Sequence, residues 1–448
     1  MSFPQFIHAY RDRRLLSIFL FGISSGFPFV MIGSVMAAWL SDAGIQRASI
    51  GLFGIVFSVY AVNFLWSPLL DRIRIPFLGQ RRGWIVTMQL AIAGCCFGLS
   101  TLNIQGSIYT VALLSLIIAI LSATQDIAID AYRIDIIADN EKDKLSAGSS
   151  LATAGWWTGY GGLGAVPFVV ADLPGWNWPD IYLLLAAIML IIAVFTLLAK
   201  EPQVDRSTML HEAESRYAHA MQGSHSKVRS IMAWLGVTLV EPFKEFFSRN
   251  GLRLAISILA FVFLFKIGEA FLGRMSIVFY KEVGFTNTDI GYYSKLLNWW
   301  VTIVFSLLGG IMNIRYGIYR GLFIAGIAMA SSNLMFAWIA EVGPDKTLFA
   351  AAIVVDGFTS AWGTVAMVAF ISLMCNRTFS ASQYALMASL SVAGKNTLAS
   401  SGGWVVDILN GNWSLFFVLT AVMVIPGLLL LRTLRTDIAQ AESTSRTM

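Results

Sequence analysis

Twelve long apolar runs, separated by shorter polar stretches, form the pattern of this sequence. A helix rises 1.5 Å per residue, so about 20 apolar residues are needed to cross ~30 Å of hydrocarbon. The runs reach about that length, and they lack the period-two alternation of barrel strands. The pattern predicts an all-α integral membrane protein with twelve transmembrane helices, over residues 15–40, 48–70, 84–102, 107–134, 146–171, 180–199, 253–280, 289–312, 319–340, 347–375, 380–407 and 413–431.

One long polar gap divides the first six runs from the last six. We therefore predict an N-terminal six-helix bundle at 1–199, a cytoplasmic linker at 200–252, and a C-terminal six-helix bundle with a short cytoplasmic tail at 253–448. Within the linker, residues 234–247 mix apolar and charged positions, as in an amphipathic helix that lies on a membrane surface. A helical tether without lipid contact fits the same residues.

Composition agrees with the membrane class and excludes several functions. Of the 448 residues, 57% are hydrophobic and only 13% are charged, against about 25% charged in soluble proteins. The net charge of +5 comes from bases in short loops, so no nucleic-acid partner is expected. Cys95, Cys96 and Cys375 form no spaced set, so we expect no metal site and no cofactor. An enzyme is disfavoured because no His, Cys or Ser–His–Asp set occurs at membrane depth.

The placement of lysines and arginines predicts the orientation. Of the 31 basic residues, 24 fall in segments that would share one side of the membrane, and only Arg47, Lys281 and Lys346 fall on the other. Loops rich in Lys and Arg remain in the cytoplasm. Both termini and the linker are therefore predicted to be cytoplasmic. Lipid is the surrounding partner, and we expect a monomer.

Residues 122–133, SATQDIAIDAYR, place charges at the end of an otherwise apolar run. Asp126, Asp130 and Arg133 follow one another at steps of four and three, which puts them on one face of a helix. A carboxylate at the bilayer centre costs roughly 2.5–3.5 kcal/mol. A helix that only crossed a bilayer would not carry that cost, so this face is predicted to line a wet pathway or a buried cavity.

Three other runs also carry polar groups at membrane depth. The seventh carries Lys266 and Glu269, three residues apart, which either bind cargo or neutralise each other as a structural ion pair. The tenth carries Asp356, and the eleventh carries Lys395 and Asn396, without a helical partner within one turn. Such groups require a partner across the cavity, a bound cargo or a proton.

Aromatic side chains add a possible surface for sugar rings. Trp156, Trp157 and Tyr160 lie among glycines of the fifth run, where a helix offers room beside a ring. Tryptophans near span ends more often anchor a helix at the membrane interface, and both interpretations stay open. Together with acids and amides such as Gln125 for hydroxyls, and lysines for carboxylates, the set indicates a large, polar, partly anionic cargo.

A buried carboxylate can take up and release a proton as access alternates between the two sides of a membrane. Each proton that enters a negative interior delivers about 2.3 kcal/mol per 100 mV. Asp126 is the first candidate for this coupling, followed by Glu269 and Asp356.

The two halves of the sequence show weak similarity to each other. Residues 146–150, SAGSS, at the start of the fifth run match residues 380–384, SASQY, at the start of the eleventh. Two parallel six-span halves joined by a cytoplasmic loop resemble the plan of the major facilitator superfamily. The loop after the second run also resembles the signature of that superfamily, with its spacing stretched by residues 73–78. We expect six charged residues to form a gate that locks the outward-facing state: Asp71, Arg72, Arg81, Arg82, Asp130 and Arg133.

Several stretches together resemble the AmpG family of muropeptide permeases. They are residues 122–132, 64–72 (FLWSPLLDR), 79–84 (GQRRGW), 241–247 (EPFKEFF) with 249–250 (RN), 266–271 (KIGEAF) and 375–383 (CNRTFSASQ). The resemblance covers nearly the whole chain. It implies proton-driven import of anhydro-muropeptides across the bacterial inner membrane, cell-wall recycling and a link to β-lactamase induction. Its acidic and basic motif positions fall on Asp126, Asp130, Lys266 and Glu269.

The sequence leaves other functions open. An importer of another anionic metabolite or a siderophore fits the same fold, because more distant relatives carry such cargo. A membrane sensor that binds the ligand without transport fits it too. For the import of muropeptides, the expected cargo-binding residues are Gln125, Asp126, Trp156, Trp157, Tyr160, Lys266, Glu269, Asp356, Lys395 and Asn396.

Overall fold

The computed structural model describes residues 12–45, 53–137, 141–171, 173–204, 238, 240–286, 289–399 and 401–444. In these ranges the regular structure is helical apart from one isolated bridge between Ile75 and Gly79. Each of the twelve predicted runs is mainly helical where it is described. The linker at 200–252 and its amphipathic helix stay predictions, because residues 205–237 and 239 lie outside these ranges.

The first half contains six membrane helices, some built from consecutive segments. Helix α1 comprises Arg13–Val30, Met31–Val35 and Met36–Asp42, and α2 comprises Gly54–Ser58, Val59–Val62, Asn63–Leu65 and Ser67–Arg72. Helices α3 and α4 are Arg81–Ser100 and Ile104–Ile136. Helix α5 comprises Lys142–Trp157, Thr158–Leu163 and Gly164–Ala171, and α6 is Trp178–Leu198.

The second half repeats this plan. Helix α7 comprises Glu241–Leu264 and Ile267–Val283, and α8 comprises Ile290–Leu297 and Asn298–Tyr316. Helices α9 and α10 are Ile318–Val342 and Lys346–Met374. Helix α11 comprises Arg377–Phe379, Ser380–Ala399 and Gly402–Ile408, and α12 comprises Trp413–Val422 and Ile425–Thr433, followed by a short helix α13, Arg435–Thr444.

In the described ranges, nine helices are long and apolar enough to span a membrane. The other three membrane helices, α2, α5 and α11, are broken into shorter pieces. In α5 the break is a π-helical segment, Thr158–Leu163, that contains three glycines. Such segments widen the helix locally and often occur at functional sites.

Glycines bring α1 and α5 into direct backbone contact. A Cβ atom on Gly26 would lie 2.1 Å from the Trp156 carbonyl oxygen, and one on Gly155 would lie 2.3 Å from the Phe19 carbonyl oxygen. Only glycine permits such an approach, as at other small-residue membrane interfaces. The glycines around Trp156 therefore serve helix packing and do not leave free space beside the ring.

The first turns of α7 form a segment distinct from the membrane part. Gly251 has φ +71°, which separates residues 241–250 from the rest of the helix. Phe246 is fully buried, and Glu245 accepts hydrogen bonds from Asn376 at 2.9 Å and from Gln383 at 2.6 Å. The end of the linker is thus clamped to the turn between α10 and α11.

A charged cluster ties the start of α1 to the start of α5. Arg14 contacts Asp12 at 2.6 Å and Glu141 at 2.8 Å, and Lys144 contacts Asp12 at 2.8 Å. Asp12 also caps α1 by accepting from the backbone of Arg14. The hydrogen bond from the Arg14 side chain holds the pKa of Asp12 well below its ordinary value.

Candidate functional site

A cavity of about 590 Å³ lies between the two halves of the molecule, at the middle of the membrane helices. We call it the central cavity. Its wall comes from α1, α4 and α5 of the first half and from α7, α8 and α10 of the second. The polar and aromatic residues of the wall are Ser25, Asp126, Asp130, Arg133, Thr153, Trp156, Trp157, Lys266, Glu269, Asn298, Thr302, Asp356, Ser360 and Thr364.

The acidic face predicted for α4 does line this cavity. Asp126 interacts with the hydroxyl of Ser25 on α1. One turn further, Asp130 Oδ1 lies 3.0 Å from the guanidinium of Arg133, a residue that is only 1% exposed. Within the described ranges, no basic side chain forms an ion pair with Asp126. The two acids that α4 brings to the cavity are therefore one paired with an arginine and one held by a hydroxyl.

Two residues assigned to the site from the sequence are not in the wall of the cavity. The Gln125 amide donates to the Ser24 carbonyl at 2.9 Å, inside the first half. Tyr160 is 40% exposed and stacks on Trp156, with ring centroids 5.1 Å apart. The side chains of Lys395 and Asn396 lie outside the described part of the structure.

Trp156 and Trp157 give the cavity an aromatic wall. Their rings meet edge to face with centroids 5.3 Å apart, and Phe29 contacts Trp156 from α1 at 5.4 Å. On the other half, Trp299 donates to the Trp157 carbonyl at 3.2 Å. This contact joins α5 to α8 beside the cavity.

Lys266 and Glu269 are paired in the second half, and both face the cavity. Lys266 Nζ lies 2.8 Å from Glu269 Oε2 and donates to Thr364 Oγ1 at 2.6 Å. Ser360 donates from its hydroxyl to Glu269 Oε1 at 2.6 Å. The pair is thus held between α7 and α10 by hydroxyl groups, and the carboxylate keeps contact with the open space.

The position of Lys266 depends on a break in α7. Leu264 ends one helical segment and Ile267 begins the next, with Lys266 at φ −107° and ψ 18° between them. Next to the break, a Cβ atom on Gly268 would lie 2.2 Å from the Thr420 carbonyl oxygen. The interrupted helix therefore places the ammonium at mid-membrane depth, where non-helical backbone is tolerated only inside protein or beside a cavity.

Asp356 completes the charged wall from α10. It accepts a hydrogen bond from the Ser332 hydroxyl on α9 at 3.0 Å, and Ser332 is in turn 3.3 Å from the Thr359 hydroxyl. In the described part of the chain, Asp356 forms no ion pair. Each half therefore contributes one acid paired with a base and one acid that contacts only hydroxyls.

A buried cluster on one face of the molecule connects the halves, and we call it the latch: Asp71, Arg81, Asp135 and the first turn of α11. Arg81 donates to Asp71 at 2.7 Å and to Asp135 at 2.7 Å. Asp71 accepts from the backbone N–H groups of Ala381 at 3.2 Å and of Ser382 at 2.8 Å. These N–H groups have no partner within a helix, and the positive end of the helix dipole favours the carboxylate.

The other residues expected at the gate behave differently from Asp71 and Arg81. Arg82 donates to the carbonyls of Leu197 and Ala199 at the end of α6, within the first half. Arg72 is half-buried at the end of α2. Asp130 and Arg133 line the central cavity. Arg377, which was not expected, donates across the halves to the carbonyls of Asp135 and Ile137.

Sequence reasoning missed several residues of both sites. Asn298 and Thr302 look like ordinary polar residues in a tryptophan-rich helix, and Ser25 falls in a glycine-rich packing stretch. Asp135 lies where a run meets a polar loop and resembles a solvent-exposed residue, although it is 4% exposed. The repeat at Ser380 was a usable signal, because it marked the helix start that receives Asp71.

Comparison with known proteins gives a family. A family model described as Major Facilitator Superfamily matches residues 16–297. The chain is 33% identical over 432 residues to a Rickettsia conorii protein that carries the name AmpG 4, covering 96% of this chain and 98% of that protein. It is 31% identical over 435 residues to the anhydromuropeptide permease of Escherichia coli (strain K12), covering 96% of this chain and 82% of that protein.

Among solved structures, the fold is similar to that of the proton:xylose symporter XylE bound to a sugar analogue. The TM-score is 0.64 at 15% identity, and the match covers 98% of this chain and 97% of that chain. At this identity the likeness shows the fold alone.

Proposed function

The chain belongs to the major facilitator superfamily and, within it, to the AmpG family of transporters, and from this membership we propose that it imports anhydro-muropeptides across the bacterial inner membrane in symport with protons. The observation that carries the proposal is the central cavity, which joins an aromatic wall to charged groups from both halves. Sugar rings and peptide carboxylates are the two chemistries that such a wall can bind.

The cavity is large enough to contact a sugar and part of a peptide at once. Trp156 and Trp157 offer apolar ring faces with polar edges, as sugar-binding surfaces require. Asp126, Asp356, Asn298 and Thr302 supply acceptors and donors for hydroxyl and amide groups. The apolar and polar parts of an anhydro-muropeptide thus find separate positions on one wall.

Proton coupling is proposed at the two acids that contact only hydroxyls. Asp126 and Asp356 lie one in each half, and a carboxylate at this depth without a cation is stabilised by holding a proton. Glu269 has Lys266 beside it and is less suited to this role. An anionic cargo that enters a cavity with four carboxylates also requires protons to offset the repulsion.

Alternating access is proposed to use the latch. With Asp71 bonded to the first turn of α11, the halves are joined on that face, and the latch must open for cargo to leave there. The positive-inside pattern predicts that this face is cytoplasmic. In this orientation the state described is closed to the cytoplasm.

Two other functions use the same observations. An importer of another anionic metabolite or a siderophore would also use the charged wall, and a sensor would bind the ligand without moving it. The rings of Trp156 and Trp157 favour a sugar-containing cargo over a small metabolite.

Uptake of a radiolabelled anhydro-muropeptide into vesicles that contain the purified protein tests the proposal. We expect accumulation against a gradient when the vesicle interior is negative and alkaline, and equilibration without accumulation when a protonophore is present. Saturable binding without uptake would favour the sensor, and absence of both binding and uptake would favour another cargo.

A further inference from the structure

Among the described residues of the cavity wall, Arg133 leaves the largest number of hydrogen-bond donors unused. We infer that its guanidinium is the subsite that binds a carboxylate of the cargo, with Asp130 and Tyr384 as its positioning residues. The inference rests on the proposed function, because it assigns one part of the cargo to one residue of the central cavity. From the sequence, Arg133 was placed on the polar face of the fourth run and assigned to the gate, and it was not among the residues expected to bind cargo.

The guanidinium is buried but almost unpartnered. Arg133 is 1% exposed and lines the cavity, and a guanidinium carries five N–H donors. In the described ranges its one ion-pair partner is Asp130, at 3.0 Å, and none of its three nitrogens makes a well-aligned hydrogen bond. Leaving buried donors unused is costly, so a ligand that accepts from them is strongly favoured.

Lys266, the other cation that the described residues place in the cavity wall, has no such capacity. The ammonium of Lys266 has three donors, and its neighbours are Glu269 at 2.8 Å, Thr364 Oγ1 at 2.6 Å and the Ser360 carbonyl at 3.4 Å. Its donors are therefore already used within the protein. An anion that enters the cavity gains more from Arg133 than from Lys266.

Tyr384 holds the guanidinium from the opposite half. Its ring lies below Arg133, with the centroid 5.1 Å from Cζ, and its hydroxyl is close to Asp130 and Arg133. Such cation–π contact fixes the plane of the guanidinium through the ring face and does not itself use the N–H donors. A fixed planar fork fits the two oxygens of a carboxylate better than a single hydroxyl.

A role in a gate explains the Asp130–Arg133 pair less well than a role in cargo binding does. Asp130 and Arg133 lie on the same helix, so their ion pair does not hold the two halves together. The latch residue Arg81, by contrast, bonds to acids of α2 and α4 and to Ser380 of α11. Contacts of Arg81, Asp71 and Arg377 therefore join the halves without the Asp130–Arg133 ion pair, and Arg133 is left available to the cavity.

The test compares two forms of one anhydro-muropeptide, the free acid and the form whose carboxylates are converted to amides, by binding to purified protein. We expect the wild type to prefer the acid. Arg133→Lys keeps the positive charge but loses the planar guanidinium with its paired N–H donors, and it should reduce this preference about tenfold or more. Tyr384→Leu keeps Arg133 and should reduce the preference by a smaller factor.

Arg81→Lys is the matched control, because it changes a buried arginine of the latch in the same way. It should affect both forms of the cargo by the same factor. The assignment is overturned if Arg133→Lys also weakens both forms equally, or if the folded Tyr384→Leu and Arg133→Lys proteins keep the wild-type preference. If the wild type binds neither form, the proposed function fails, and the assignment fails with it.

Discussion

Asp71 and Ser382 are 311 positions apart in the chain, yet the backbone N–H of Ser382 donates to the Asp71 carboxylate at 2.8 Å and its hydroxyl at 2.6 Å. The first residue lies in the last turn of α2 in one half, and the second lies in the first turn of the α11 segment that begins at Ser380 in the other. Both are buried, so each bond lies in a low-dielectric environment where it is strong. One carboxylate thus joins the halves on one face.

Asp71→Asn should weaken the latch, since a hydrogen bond to a charged group contributes about 1.5–3 kcal/mol. The ratio of closed to open molecules should fall about tenfold or more. Distances between spin labels at the exposed residues Phe77 and Thr436 measure this ratio. Arg82→Gln is the control, because in the described structure the Arg82 side chain donates only to carbonyls of its own half. Equal shifts in both variants would contradict the prediction.

Asp126→Asn and Asp356→Asn should each abolish accumulation of cargo driven by a proton gradient. An amide keeps the hydrogen bond to Ser25 or Ser332 but cannot exchange a proton. Exchange of labelled for unlabelled cargo at equal concentrations should continue at a measurable rate. Accumulation at the wild-type level in either variant would show that the changed residue does not carry the proton.

Lys266→Met should lower the free energy of unfolding by about 1–3 kcal/mol, because Glu269 loses the cation 2.8 Å away. The double variant Lys266→Met with Glu269→Gln should recover part of this loss, since no charge is then left alone. Thermal unfolding of the four proteins in detergent gives the coupling. Simple additivity of the two single effects would show that the pair is not coupled.

Gly26→Ala should destabilise the protein by about 1–3 kcal/mol, because the added Cβ atom meets the Trp156 carbonyl oxygen at 2.1 Å. Gly94→Ala is the matched control in another membrane helix, where nothing lies within 4 Å of the added atom. There we expect no loss or a small gain, since alanine favours helix. Equal unfolding temperatures for the two variants would argue against the close α1–α5 contact.

The ion pair of Asp12 with Arg14 predicts that the stability of the protein depends on pH. Its pKa in the folded protein lies below the ordinary 3.8 because Arg14 bonds to it, so its contribution is present above that value and is lost as the pH falls below it. The difference in unfolding temperature between wild type and Asp12→Asn should be constant above about pH 5 and shrink below about pH 4. A difference that grows on acidification would contradict the ion cluster at Arg14.

The sequence by itself determined the class of protein, the positions of its twelve helices and the presence of charges at membrane depth. These follow from hydropathy, which is a property of consecutive residues and does not depend on where neighbouring helices lie. The spacing of Asp126, Asp130 and Arg133 likewise puts the three residues on one face of a helix by helix geometry alone. The structure places that face on the cavity.

Only the tertiary structure decided which of these groups meet. Gln125 and Asp126 are adjacent in the chain, but the orientation of α4 against α1 directs the Gln125 amide towards Ser24 and the Asp126 carboxylate towards the cavity. No proline marks the break at Lys266, and the nearby Gly268 does not by itself predict an interruption of the helix. The partner of Asp71 lies in the other half of the chain. Contacts of this kind depend on packing between distant helices, and no local pattern in the sequence records them.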